Sequence, residues 1–279
     1  LLELGAINGF VLVHVRRQVL HLFDVYREAR QCQAIAHWRQ RSLFSFDLGS
    51  AHFVIFSTEF YFSTEYGWNQ IRNQWNWLIE DLTKANNNRA KVPWILTFGH
   101  RPMYCSDFDG DDCTKYESII RTGLPKTHAY GLEKLFYEYA VDVEFWAHEH
   151  TYERMWPVYN RTVYNGTMSP YVNPLAPVHI VSGSAGCREN TDTFVTNPGP
   201  WSARRSTDYG FGMLRVHNAT HIHFRQVADE VQDDFWIEKN PNHTYKHAHR
   251  RYVLLCSLNT CTSSHQTHLD GLTRQHMFR

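Results

Sequence analysis

The sequence predicts an α/β protein: a largely parallel sheet packed against helices, followed by a β-rich C-terminal part. Two observations predict the sheet. The apolar runs Val92–Phe98 and Val141–Phe145 each follow a stripe at helical spacing, Ile71/Trp75/Leu78/Leu82 and Leu132/Leu135/Phe136/Tyr139. Strand–helix–strand order of this kind makes parallel sheets with helices on a face. The third observation is a change of period. From Tyr159 onward the apolar residues alternate, in Val178–Ser182, Phe211–Val216 and His221–Val227, which reads as half-buried strands.

Taken in order, Val15, Val19, Leu22 and Tyr26 recur at helical spacing and suggest an amphipathic helix. Phe44–Asp47 and His52–Ser57 read as paired strands around Gly49-Ser50. The stripe from Ile71 to Leu82 is a helix closed by Asn86-Asn87-Asn88, and its tryptophans read as core. Cys105 and Cys113 bracket an acidic run, Asp107 to Asp112. It lacks the twelve-residue ligand pattern of a calcium loop and reads as solvated. Gly183-Ser-Ala-Gly186 is a tight turn. The tail Lys239–Arg279 is basic, histidine-rich and without period, as expected of disorder.

With 279 residues, 43% of them hydrophobic, the chain can bury a substantial core. Formal net charge is zero, which argues against a nucleic-acid or membrane-surface binder acting through bulk charge. No apolar run approaches the roughly 20 residues of a membrane span. The first residue is Leu, so the true N-terminus is expected to lie outside this chain, and Phe10–Val15 is too short for a signal-peptide core. Asn160, Asn165, Asn218 and Asn242 each open an N-glycosylation triplet. The short spacing of Cys105 and Cys113 allows a disulfide, with two free thiols as the alternative. Together these point to a secreted or lysosomal protein.

Chemistry concentrates in the histidines. His148 and His150 stand two apart where an apolar run ends, and Trp94–Phe98 likewise runs into Gly99-His100. Sites in α/β sheets form at the C-terminal ends of strands, so these three imidazoles are a candidate metal site. His221 and His223 share a face opposite Ile222 and Phe224 and read as solvated, while His247 and His249 lie in the aperiodic tail.

Gly99-His-Arg-Pro-Met-Tyr-Cys105 and Ala147-His-Glu-His-Thr-Tyr-Glu-Arg154 resemble two motifs of the purple acid phosphatases, animal branch, which are binuclear metallophosphoesterases. Supporting matches are Ser45–Gly49, Ser57-Thr58-Glu59, His179–Cys187 and Tyr209-Gly210-Phe211. The resemblance implies the C-terminal half of a metallophosphoesterase-type α/β sandwich over residues 43–237, with an unmatched segment 1–42 and a tail 238–279. It implies hydrolysis of phosphate monoesters by hydroxide on a metal pair, iron with zinc, manganese or iron. His100 and His148 would hold the divalent ion and His150 the ferric ion. Asp142 and Glu144 could orient these ligands, although alternation aims them at solvent. The family's Gly-Asp-x-Gly, Gly-Asp-x-x-Tyr and Gly-Asn-His-Glu motifs do not occur in residues 1–98. Two readings therefore stand: a truncated acid phosphatase, or a non-catalytic secreted glycoprotein holding at most one zinc. Oligomeric state is not legible.

Overall fold

The computed structural model describes residues 43–63, 68–185, 187, 190–240, 243 and 245, and the backbone alone of three strands within residues 2–20. Those three are β1 (Leu2–Ile7), β2 (Phe10–Val15) and β3 (Gln18–Leu20). The helical spacing of Val15, Val19, Leu22 and Tyr26 therefore meets strand backbone at Gln18–Leu20, whose β2 pairing takes precedence over the local pattern. The rest of that stretch lies outside the described residues.

The chain then forms the hairpin β4 (Phe44–Leu48) and β5 (Ala51–Ile55), turning at Gly49 with φ 60°. A non-glycine residue would be strained in that left-handed turn. Helix α1 (Asn69–Asn87) crosses to β6 (Trp94–Phe98), and the short helices α2 (Ile119–Thr122) and α3 (Leu132–Glu138) cross to β7 (Val143–Trp146). There follow β8 (Tyr152–Met155), β9 (Val158–Tyr159), β10 (Thr162–Val163), β11 (Val178–Ser182) and β12 (Ser202–Ser206). The last three are β13 (Phe211–Val216), β14 (His221–Val227) and β15 (Val231–Glu238).

Among the described residues these make a seven-stranded sheet, β12-β8-β11-β7-β6-β5-β4, and a six-stranded antiparallel one, β15-β14-β13-β1-β2-β3. The centre of the first, β5-β6-β7-β11, is parallel. One face packs Val54, Ile95 and Val181 on Ile71, Leu78 and Leu82 of α1 and Leu135 and Phe136 of α3. Its other face packs Phe53, Leu96, Phe145 and Ile180 on Leu214, Ile222, Phe224 and Ile237 of the second sheet. The layers are helix, sheet, sheet: an α/β sandwich.

Burial on both faces explains the apolar runs of β5, β6 and β7. It also overturns one expectation. Asp142 and Glu144 do not face solvent, because β7 is covered on both sides: they are 9% and 1% exposed. Thr97, Glu144 and His179 are cross-strand neighbours on β6, β7 and β11, all buried. The Trp146 indole Nε1 donates to His179 Nδ1 at 3.2 Å.

The start of the tail is packed, not loose. Lys239 Nζ lies 2.5 Å from Asp142 Oδ1, and the Tyr245 hydroxyl donates to the Val141 carbonyl at 2.6 Å. Residues 246–279 lie outside the described residues. No helix among the described residues is long and apolar enough to cross a membrane.

Candidate metal centre

Two adjacent parallel strands deliver the histidines. Beyond β6 and β7 the ladder continues, with Gly99 N–H donating to Phe145 O and Ala147 N–H to His100 O, both at 3.0 Å. This sets His100 beside the start of the Ala147–His150 turn. A Cβ on residue 99 would lie 2.5 Å from Trp146 Cζ3 and 2.7 Å from Phe56 Cζ, so only glycine lets the strand end so close to those rings. His148 then adopts φ 62°, left-handed backbone unusual for a side-chain-bearing residue. Strain of this kind concentrates at functional sites.

The result is a pair of facing imidazoles. His148 Nδ1 and His100 Nε2 are 3.0 Å apart, with the rings edge to face. His148 Nε2 contacts Asp111 Oδ2 at 2.6 Å. That carboxylate needs a donor, so it fixes the Nε2–H tautomer and turns the Nδ1 lone pair toward His100. Arg101 holds Asp111 in turn: its Nη1 is 3.5 Å from the same oxygen, and its Nε donates to Glu59 Oε1 at 3.0 Å. Although His100 is exposed to solvent, partial desolvation of its ring first, then the neighbouring His148, lowers its pKa, favouring the neutral form a metal ligand requires.

These two nitrogens fit a zinc-type cation. Bonds of about 2.0–2.1 Å in tetrahedral geometry place ligand nitrogens about 3.3 Å apart, a few tenths from the distance here. His150 stands differently. Its backbone N–H donates to Asp192 Oδ2 at 2.6 Å. Among the described residues, the acid-and-histidine groups with ligand atoms within 4.8 Å of one another are Asp111–His148–Glu149 and Asp107–Glu149–Asp192. The structure thus brings His100 and His148 together in one contact, while neither the His100 nor the His150 ring belongs to these groups.

The acidic run is not a solvated loop. Asp107 and Asp112 are buried, and only Phe108, Asp109 and Gly110 of the run are exposed. The loop is anchored because Cys105 and Cys113 form a disulfide, Cα–Cα 5.3 Å. Ser106 also donates through N and Oγ to Glu153, at 2.8 and 2.7 Å. Cys113 Sγ lies 3.2 Å from Glu149 Oε1; a disulfide sulfur has no proton, so the carboxyl must supply it. Consistent with that, burial and then the carboxylates of Asp109, Asp107 and Asp111 push Glu149 up to about 10. Burial, against a hydrogen bond from Thr151, raises Asp107 to about 7.

Sequence reasoning missed Asp107, Asp111, Glu149 and Asp192 as site residues. The one available signal was an acidic run enclosed by two cysteines directly after the first histidine motif. Of the glycosylation triplets, Asn160, Asn165 and Asn218 are exposed, and Asn242 lies outside the described residues. His221 and His223 stand on the outer face of β14, where His223 Nε2 meets Asp234 Oδ1 at 2.6 Å and its ring stacks on Trp236. His247 and His249 lie outside the described residues.

Residues 23–152 match the calcineurin-like phosphoesterase family, a match that begins inside the segment 1–42, and residues 176–234 match the family described as iron/zinc purple acid phosphatase-like protein C. Human acid phosphatase type 7 is 54% identical over 199 residues, 70% of this chain and 45% of that protein. Purple acid phosphatase 1 of Ipomoea batatas is 30% identical over 196 residues, 67% of this chain and 37% of that protein. A solved purple acid phosphatase from yellow lupin (Lupinus luteus) seeds shares the fold, with TM-score 0.56 and 24% identity over 71% of this chain and 33% of that one. The chain spans less than half the length of these curated relatives. With both motifs on adjacent strand ends and both family matches in register with the sandwich, the chain belongs to the purple acid phosphatase family of calcineurin-like phosphoesterases.

Proposed function

We propose that this chain carries the histidine side of the metal centre of an acid phosphatase acting on phosphate monoesters. The observation that supports it is the facing pair His100 Nε2 and His148 Nδ1, 3.0 Å apart at the ends of neighbouring parallel strands. These two would hold the divalent cation, and His150 the ferric ion of an iron–zinc, iron–manganese or di-iron pair. A bound metal pair supplies Lewis acidity toward the phosphoryl oxygens. The chain's own residues prepare for it. Asp111 accepts from His148 Nε2–H and selects the tautomer with its lone pair on Nδ1; Arg101 steadies Asp111; partial desolvation lowers the pKa of His100. The resemblance to acid phosphatases and the exposed triplets at Asn160, Asn165 and Asn218 favour a secretory or lysosomal glycoprotein.

A non-catalytic glycoprotein is the second reading, favoured by the absence of the family's three carboxylate-bearing motifs from residues 1–98. Two cations in one pocket repel strongly unless anionic ligands separate them. Calorimetric titration with zinc should give about one ion per chain, and His148→Ala should weaken binding at least ~10²-fold. The 279-residue chain by itself should release phosphate from p-nitrophenyl phosphate only at trace rate, and joining it to a segment bearing those motifs should restore turnover. Unchanged zinc binding in His148→Ala would sink the ligand assignment. A silent extended protein that still binds zinc would leave the non-catalytic reading.

A further inference from the structure

Beyond the imidazole pair, three segments far apart in sequence are stitched together by backbone hydrogen bonds. Asp107 bridges to Phe194, Phe108 N–H donates to Thr193 O at 2.7 Å, and Val195 N–H to Ser106 O at 2.9 Å. His150 N–H donates to Asp192 Oδ2 at 2.6 Å, and Thr151 Oγ1 to Asp107 Oδ1 at 2.9 Å. Each segment contributes one carboxylate to a common point: Asp107, Glu149 and Asp192, with ligand oxygens within 4.8 Å of one another.

Two of these carboxylates are almost completely enclosed. Asp107 and Glu149 are each 1% exposed, and each has an oxygen, Asp107 Oδ2 and Glu149 Oε2, with no hydrogen-bond partner among the described residues. Buried carboxylates are normally paired with a cation or saturated with donors. Among the described residues no basic side chain does this; Arg101 is engaged by Glu59 and Asp111 instead.

We propose that Asp107, Glu149 and Asp192 form a binding site for a hard divalent cation of the calcium type, adjoining the imidazole pair, since Glu149 also lies within 4.8 Å of His148 and Asp111. An all-oxygen donor set selects such ions over zinc. Calcium–oxygen bonds of about 2.3–2.6 Å allow oxygens up to about 5 Å apart across the ion, which accommodates the present spacing; magnesium at about 2.0–2.1 Å would require the carboxylates to close in. The ion clamps the disulfide-closed acidic loop and the 192–195 segment onto the turn bearing His148 and His150. Hydrogen bonds already join the three segments, so binding needs little reorganisation.

The test is a calcium titration of the 279-residue chain at pH 7.5 after chelation, followed by calorimetry and by thermal unfolding. One calcium per chain is expected, with affinity in the roughly 10⁻⁴–10⁻³ M range of extracellular modules. A rise in Tm should accompany it, and magnesium should give a smaller one. Asp192→Asn, at the most exposed of the three positions, should weaken calcium at least tenfold, while His100→Ala keeps it. Absence of any calcium effect on the wild-type chain overturns the proposal, since the carboxyls are then merely protonated. Calcium binding that is lost in His100→Ala and kept in Asp192→Asn overturns it as well, by assigning the ion to the imidazoles.

Discussion

Strand β7 and its flanks carry buried carboxylates at both ends, in opposite condition. Before its N-terminal end, Asp142 is saturated. Its Oδ2 accepts from Ile95 N–H at 2.8 Å and Arg89 Nη1 at 3.1 Å, and its Oδ1 from Lys239 Nζ at 2.5 Å. Arg89 goes on to the carbonyls of Tyr139 and Ala140, closing the end of α3. Beyond the C-terminal end, Glu149 and nearby Asp107 each have an oxygen without a hydrogen-bond partner among the described residues. A buried polar group with every partner supplied serves the fold, while one left incomplete next to a candidate site calls for an explanation of its own. The contrast separates the scaffold of this molecule from its site.

The largest test of that contrast strikes the saturated end. Asp142→Ala removes the carboxylate partner of half-buried Arg89 and of buried Lys239, the latter already depressed to about 8 by burial. Loss of about 3–5 kcal/mol is expected in urea unfolding, as when one partner of a buried pair is removed. A loss below about 1 kcal/mol would erase the distinction between the two ends.

Next in size is the anchor of the unsaturated end. Replacing Cys105 and Cys113 together by serine opens a loop of sequence separation 8 and should lower stability by about 2–3 kcal/mol. Hydrogen exchange should then quicken in residues 105–113 while the amide of Ile95, bonded to Asp142, stays protected. Uniform quickening would mean the ends are not independent.

A smaller, more local change is Gly183→Ala. Its Cβ would fall 2.2 Å from the Glu149 carbonyl oxygen, so the turn must move. About 1–3 kcal/mol is expected, together with weaker zinc binding. Loss of stability with zinc affinity intact would separate the turn's packing from its metal chemistry.

The sandwich was legible because β5, β6, β7, β11, β13 and β14 have strong periods, and the motifs around His100 and His148 mark strand ends. What was not legible came from long-range pairing. Alternation in Val141–Phe145 looked like a half-exposed strand, and only the second sheet and α3 show that both faces are covered. Asp111 looked like one solvated acid among several, because no local pattern tells that the disulfide folds its loop back onto His148. Asp192 lies 42 residues from His150, and its part in the site depends entirely on the backbone bridge to the acidic loop.

The buried ladder of Glu144 and His179 gives the molecule a preferred acidity. Burial raises the Glu144 pKa well above 4.5, then Glu133 adds to it; burial lowers His179 from 6.5 to about 3. Both side chains are therefore neutral in the folded protein across that interval. Above pH 4.5 the unfolded chain releases the Glu144 proton that the folded one keeps, so stability falls as pH rises. Below pH 6.5 the unfolded chain protonates His179 and the folded one does not, so stability falls as pH drops toward about 3. Between pH 4.5 and 6.5 the two slopes, each about 1.4 kcal/mol per pH unit, oppose and cancel. The pair thus contributes a plateau of stability in mildly acidic solution. Glu144→Gln should flatten its alkaline limb and His179→Gln its acid limb in unfolding measured from pH 3.5 to 8; unchanged limbs would show that the ladder does not set them.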